Sequence, residues 1–246
     1  MRVSYDTMLQ EFKRVLMKKG FQEDRAEAAA AIFAQNSLAG VYSHGLNRFP
    51  KVVEYLEKGE IDPDIKGTCE LQLGAYERWN GHRGFGPLNA RQAMERACEL
   101  AKQYGIGMVA LANNNHWMRG GSYGLQAADP GEIYKTKRVL PMGFWKGSGI
   151  SIALDMIASV LTAENAVHTI GTFEDEIGLS QMMIAIDPSK ANTEEQTDAI
   201  VDGILAYIKA SKPIDEARPV LYPGEPEWQT MEEHRKTGFL LLKKME

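Results

Sequence analysis

The 246-residue sequence predicts an α/β protein. Residues 1–66 carry apolar side chains at helical spacing, punctuated by glycines. From Cys69 onward, short strand-like runs alternate with helical periodicity. Hydrophobic residues make up 44% of the chain and charged residues 25%, which suits a packed globular fold. These features divide the chain into an N-terminal helical region, 1–66, and a mixed α/β region, 67–246, within one unit.

Taken in order, Ser4 reads as the N-cap of a first helix bearing Met8, Phe12, Val15 and Leu16 and stopped by Gly20. An alanine-rich second helix covers residues 23–39 and stops at Gly40. A third carries Phe49, Val52, Val53 and Leu56 on one face, with Gly59 past its end. Pro50 is tolerated only near its start, so "GVYSHGLNRFP", residues 40–50, joins helices two and three. "CELQLG" and "YERWNG" read as strands, with Asn80-Gly81 as a turn signal. Pro87 suits the first turn of a helix running to Tyr104 and closed by Gly105. "GMVALA", residues 107–112, reads as a buried strand, followed by the polar loop "NNNHWMRGGSYG" and a short helix to Ala128.

"DPGEIYKTKRVLPMGFWKGSG" reads as a long connection. "ISIALDMIASVL" reads as an apolar helix buried on most faces, and "SQMMIAID" as a strand. Thr193 and Gln196 form a capping box ahead of Ile200, Ile204, Leu205 and Ile208, which share one face. The tail "RPVLYPGEPEWQT" reads as extended, with a last helix near residues 231–236.

Charge and composition exclude several functions. A net charge of −5 gives no basic face for nucleic acid. No apolar run approaches the roughly 20 residues that cross a bilayer, so no membrane partner is expected. The start, "MRVSYDTMLQEF", lacks the apolar core of a secretory signal. Cys69 and Cys98 have neither metal-ligand spacing nor partners for a disulfide framework. A reducing, cytoplasmic setting follows as the expectation.

Three glycine-containing stretches place polar or cationic groups in turns. In "SHGLNR", His44 is a candidate general acid or base, because histidine titrates near neutrality. Arg48 can hold a carboxylate bidentately. The alternative is a Ser43 helix cap beside a half-exposed histidine. In "NNNHW", His116 lies just past the carboxyl end of a strand, where ligands bind in open α/β sheets. The alternative is a hydrogen-bonded loop. In "GFWKGSG", Lys146 and its glycines can face a phosphate, or form only the entry turn of a helix. The order Lys-Gly-Ser is not that of a nucleotide-triphosphate loop, and no G-x-G-x-x-G follows a strand. No carboxylate sits at ligand spacing from either histidine, so no metal is expected. His82, His168 and His234 read as surface residues.

"GVYSHGLNRFP", "GIGMVALANNNHWMRGGSYGLQAA" and "LPMGFWKGSGISIALDMIA" occur in this order. Together they resemble the malate/L-lactate dehydrogenase family that lacks a Rossmann fold, and within it the 2,3-diketo-L-gulonate reductase branch. The resemblance implies a mixed-sheet, non-Rossmann NAD(P)-dependent dehydrogenase fold, usually in homodimers. It implies NADH-dependent reduction of a 2-oxo or diketo sugar acid, with 2,3-diketo-L-gulonate as the first candidate and NADPH as the other possible reductant. His44 matches the family's proton donor. Trp145 and Lys146 match a cofactor-binding pair. Gly224 and Glu225 in "YPGEPE" match a cofactor-contacting turn, although the diketogulonate branch usually has histidine after that glycine. Ser43, Arg48 and His116 fall in shared motifs and are assigned to substrate positioning.

The resemblance also implies a long strand-rich segment after "GSYGLQAA", with a nicotinamide-binding loop and a catalytic aspartate. Here "DPGEIYKTKRVLPMGFW" follows Ala128 at once. The sequence reads as missing that central segment near residues 128–129: either the 246 residues omit a segment that the native protein has, or the protein is an internally deleted relative. The alternative function is then a catalytically inactive relative that keeps only oligomer contacts or weak ligand binding. Such a loss would leave unpaired sheet edges and bare apolar faces.

Overall fold

The structure is a computed structural model. It describes residues 2–119, 145–213 and 219–240, with only the backbone described at 145–149 and 240. The junction near residues 128–129, and most of the connection on either side of it, lie outside the described residues.

The amino-terminal layer follows the apolar spacing closely. Helix α1 (Tyr5–Lys18) begins at Ser4, whose side chain accepts the Thr7 N–H at 3.1 Å. Helices α2 (Glu23–Leu38) and α3 (Phe49–Glu57) pack with it. Phe12, Phe33 and Phe49 meet at ring distances of 4.4–5.8 Å, and Phe85 joins them from the second region. Each such ring, taken fully out of water, contributes about 1.5–3 kcal/mol. Met118 and Phe239 complete this core, so distant parts of the chain fill it.

The second region is a four-stranded mixed sheet backed by one long helix. Strands β2 (Thr68–Leu73), β3 (Tyr76–Asn80), β4 (Ile106–Asn114) and β5 (Leu179–Ile186) stand in that order. β3 and β4 are parallel, and the outer pairings are antiparallel. Helix α4 (Gly86–Tyr104) makes the parallel crossover, ending at Gly105 with φ +86°. Ala90, Ala93, Ala97 and Leu100 on α4 face Val109 and Leu111 on β4. Arg96 on α4 reaches the buried Glu77 of β3 at 2.7 Å. That pairing holds the Glu77 carboxyl below its ordinary pKa against the opposing effect of burial.

Several expectations are corrected. The helix containing "ISIALDMIASVL" is α5 (Trp145–Thr162), so "WKGSG" is helical and not an entry turn. It is not buried on most faces. Ile152, Leu154, Met156 and Val160 are exposed, because nothing among the described residues covers its outer side. After the short α6 (Val167–Ile170) and β5 comes α7 (Glu194–Lys209), whose Thr193–Gln196 capping box is present. Its apolar face is largely bare, however: Ile200 and Ile204 are exposed and only Val201 is buried. The tail is helical earlier than its composition suggests. α8 spans Glu225–Thr237, since Pro226 in its first turn lacks only an N–H that would be unpaired anyway. Finally β1 (Arg2–Val3) pairs antiparallel with β6 (Phe239–Leu240), a contact no local pattern announced.

Candidate active site

Two turns from different regions meet here. The first follows α2. Asn36 donates to the His44 carbonyl at 3.0 Å, and Ser37 Oγ accepts the Leu46 N–H at 2.9 Å. These polar residues sit buried in an otherwise alanine-rich helix, and they fold residues 40–46 back against it. Gly45 is required for space: a Cβ there would stand 2.3 Å from Ser37 Oγ. Ser43 caps no helix. Its Oγ pairs with His44 Nδ1 at 3.0 Å within the 3-10 turn Tyr42–His44, while Arg48 occupies the N-cap position of α3.

The second turn follows β4. Asn115 donates to the carbonyls of Glu60, Arg83 and Gly84, which fixes the chain just past the strand. The Met118 N–H donates to His116 Nδ1 at 2.9 Å, with Met118 itself at φ +67°. Nδ1 is therefore an acceptor, and a neutral His116 carries its proton on Nε2.

The two turns bring the His44 and His116 rings to 5.7 Å between centroids. Glu176, from the loop before β5, closes the cluster. Its Oε2 accepts from Arg48 Nη2 at 2.8 Å and lies 4.0 Å from His116 Nε2. Burial lowers the pKa of His116 to about 4. The Glu176 charge opposes that shift, and Arg48 and His44 add to it. An enclosed void of about 10 Å³ lies against Arg48, Asn115 and His116. Arg48 Nε and Asn115 Oδ1 are both buried there without a hydrogen-bond partner among the described residues. The cluster thus presents two imidazoles, one guanidinium and one carboxylate. It can bind an anionic group and exchange a proton with a neighbouring oxygen.

The structure brings together Ser43, His44, Arg48 and His116 from the expected set. Glu176 was not anticipated; one acid in the polar turn "FEDEIG" has no distinguishing signal. Asn36 did have one, being polar inside an alanine-rich helix. The side chains of Trp145 and Lys146 lie outside the described residues, though their backbone opens α5. Gly224 holds the left-handed N-cap of α8 at φ +95°, with open space where a Cβ would stand. The Glu225 carboxylate is buried and engaged by Lys209 at 2.8 Å and the Tyr222 N–H at 3.3 Å. A cleft of about 640 Å³ runs between residues 39–43 and the start of α8, lined by Ser43, Pro226 and Glu227. His234 lines it too, half-buried and paired with the Leu38 carbonyl at 2.8 Å, so it is not a plain surface residue.

A family model described as malate/L-lactate dehydrogenase matches residues 3–133 and 124–245. The chain belongs to the malate/L-lactate dehydrogenase family. Membership makes it an oxidoreductase of the kind that acts on CH–OH groups, in a family that generally uses a nicotinamide cofactor. Among this family's members, a 2,3-diketo-L-gulonate reductase of Mannheimia succiniciproducens is 34% identical, over 97% of this chain and 96% of that protein. One from Pasteurella multocida is 35% identical with the same coverage. The alignments extend over 318 residues against the 246 of this chain, so several tens of aligned positions have no counterpart here. The two family segments join around residues 124–133, where the central segment reads as missing. A malate dehydrogenase structure from Pyrococcus horikoshii shares the fold. Its TM-score is 0.89 at 22% identity, covering 99% of this chain and 92% of that one.

A nicotinamide cofactor fits part of what is described. The cleft reaches from Ser43 to Pro226 and Glu227 in the first turn of α8, next in sequence to Gly224, where open space stands in place of a Cβ.

Proposed function

We propose that the chain catalyses NADH-dependent reduction of the carbonyl of a small 2-oxo or diketo sugar acid to the hydroxy acid. The first candidate substrate is 2,3-diketo-L-gulonate, and NADPH is the alternative reductant. The observation that carries this reading is the His44–His116–Arg48 cluster, assembled from two turns distant in sequence. The relatives named 2,3-diketo-L-gulonate reductase support the substrate class.

When bound, the nicotinamide cofactor would supply the hydride; the backbone of the Gly224–Glu225 turn, braced by the Glu225–Lys209 pair, would hold it together with Trp145 and Lys146. The chain's own residues do the rest. Ser43 pairs with His44 Nδ1, which leaves Nε2 to deliver the proton to the carbonyl oxygen. Arg48 holds the substrate carboxylate. The His116 Nε2–H hydrogen-bonds an oxygen of the substrate chain. We place the enzyme in the cytoplasm as a homodimer.

A second reading rests on the aligned positions that lack a counterpart. The chain would then be an inactive relative that retains oligomer contacts or weak ligand binding. NADH oxidation by the purified chain with 2,3-diketo-L-gulonate and simple 2-oxo acids separates the two. Activity, cut by a factor of roughly 10² or more in His44→Ala while NADH still binds, supports the reductase. No turnover from folded protein that NADH does not stabilise supports the inactive relative.

A further inference from the structure

Glu176 stands out because its carboxylate lies on the guanidinium that the reductase reading reserves for a substrate carboxylate. The contact involves one nitrogen of the fork, Nη2, at 2.8 Å. Its two ends differ in freedom. The Arg48 side chain is 24% exposed and Glu176 is 44% exposed, so the carboxylate is the end that can leave.

The backbone beneath Glu176 is pinned separately. Asp175 pairs with Lys58 at 2.7 Å and with Lys51 at 3.2 Å, both on or beside α3, and its side chain is only 10% exposed. The Glu176 N–H donates to Tyr55 Oη at 3.4 Å. The Glu176 side chain can therefore rotate off Arg48 while the loop stays docked. A second donor, His116 Nε2, is already 4.0 Å away.

We propose that Glu176 is a specificity residue: it occupies the carboxylate seat on Arg48 in the free protein, and only a ligand bringing its own carboxylate displaces it. This rests on the reading of Arg48 as that seat. The device selects against neutral carbonyl compounds, which offer no charge to replace the one they would expel. Its cost to an anionic ligand is that of breaking a half-exposed ion pair, which weakens binding by about threefold to fivefold.

The test is calorimetric titration of the purified chain with oxamate, a non-reducible 2-oxo-acid analogue, and with neutral oxamide. Glu176→Gln keeps the shape and removes the charge at an exposed position. It is expected to bind oxamate about threefold to fivefold more tightly and oxamide by a larger factor, so that the preference for oxamate narrows. Adding Arg48→Gln is expected to erase that gain, because the two residues act on one ligand group. Oxamate binding to the parent chain that is unchanged or weakened by Glu176→Gln overturns the proposal and leaves the Arg48 seat standing. A gain that survives Arg48→Gln also overturns it, since Glu176 would then act through its general field. Failure of both the parent and Glu176→Gln to bind oxamate removes the seat itself, and the proposal with it.

Discussion

His116 shows how one side chain's surroundings become a property of the whole protein. The folded chain holds its pKa near about 4, chiefly by burial, whereas an unfolded histidine titrates near 6.5. Between these values the unfolded chain takes up a proton that the folded chain refuses. Stability from the neutral imidazole is thus complete above about pH 6.5 and lost as pH falls toward 4. A shift of this size corresponds to something on the order of 3 kcal/mol. Thermal midpoints should fall across that window, and His116→Gln should show a shallower fall; identical slopes would reject the assignment. At this scale the sequence exposed the histidines and Arg48, because residue types that do chemistry are visible in turns. It did not expose Glu176, whose role depends on contacts 128 positions away in the chain. Nor did it reveal that Glu225 is tied down by Lys209, since an acid next to a glycine turn looks alike whether free or paired.

At the scale of elements, the interface between α4 and β4 is set by one missing side chain. A Cβ on Gly107 would lie 2.0 Å from the Ala97 carbonyl oxygen and 2.7 Å from the Ala101 nitrogen. Helix and sheet approach each other backbone to backbone there. Gly107→Ala should therefore cost about 2–3 kcal/mol, read from urea unfolding. A change below about 0.5 kcal/mol would mean that the helix shifts freely. Elements whose apolar period matches their own packing were legible: α1 to α4, the strands of the sheet and the Thr193 capping box. Helices α5 and α7 were legible as helices but not in their burial. Apolar periodicity reports which face seeks cover, and it does not say whether cover is present in the same chain. β1 and β6 escaped notice because two-residue strands carry no period at all.

On the scale of the molecule, uncovered apolar surface is the prominent fact. Ile152, Met156 and Val160 on α5, Ile200 on α7, and Ile184 and Ile186 on the edge strand β5 are all exposed. Surface of that extent favours association. Sedimentation of the purified chain should give the mass of two copies, and Val160→Glu should move it toward one. A single-copy mass at every concentration would reject the homodimer. The pairing of β1 with β6 bears on how such a molecule comes into being. Arg2 reaches the Gly238 carbonyl at 2.8 Å, and Phe239 sits wholly enclosed among the residues of the first three helices. Those helices leave the ribosome early, yet the ring that seals them, Phe239, is translated 182 residues after the third helix ends at Glu57 (239 − 57). Until then the oldest part of the molecule carries an open socket. Its assembly finishes as a closing of the circle, when Phe239 docks on helices made long before it.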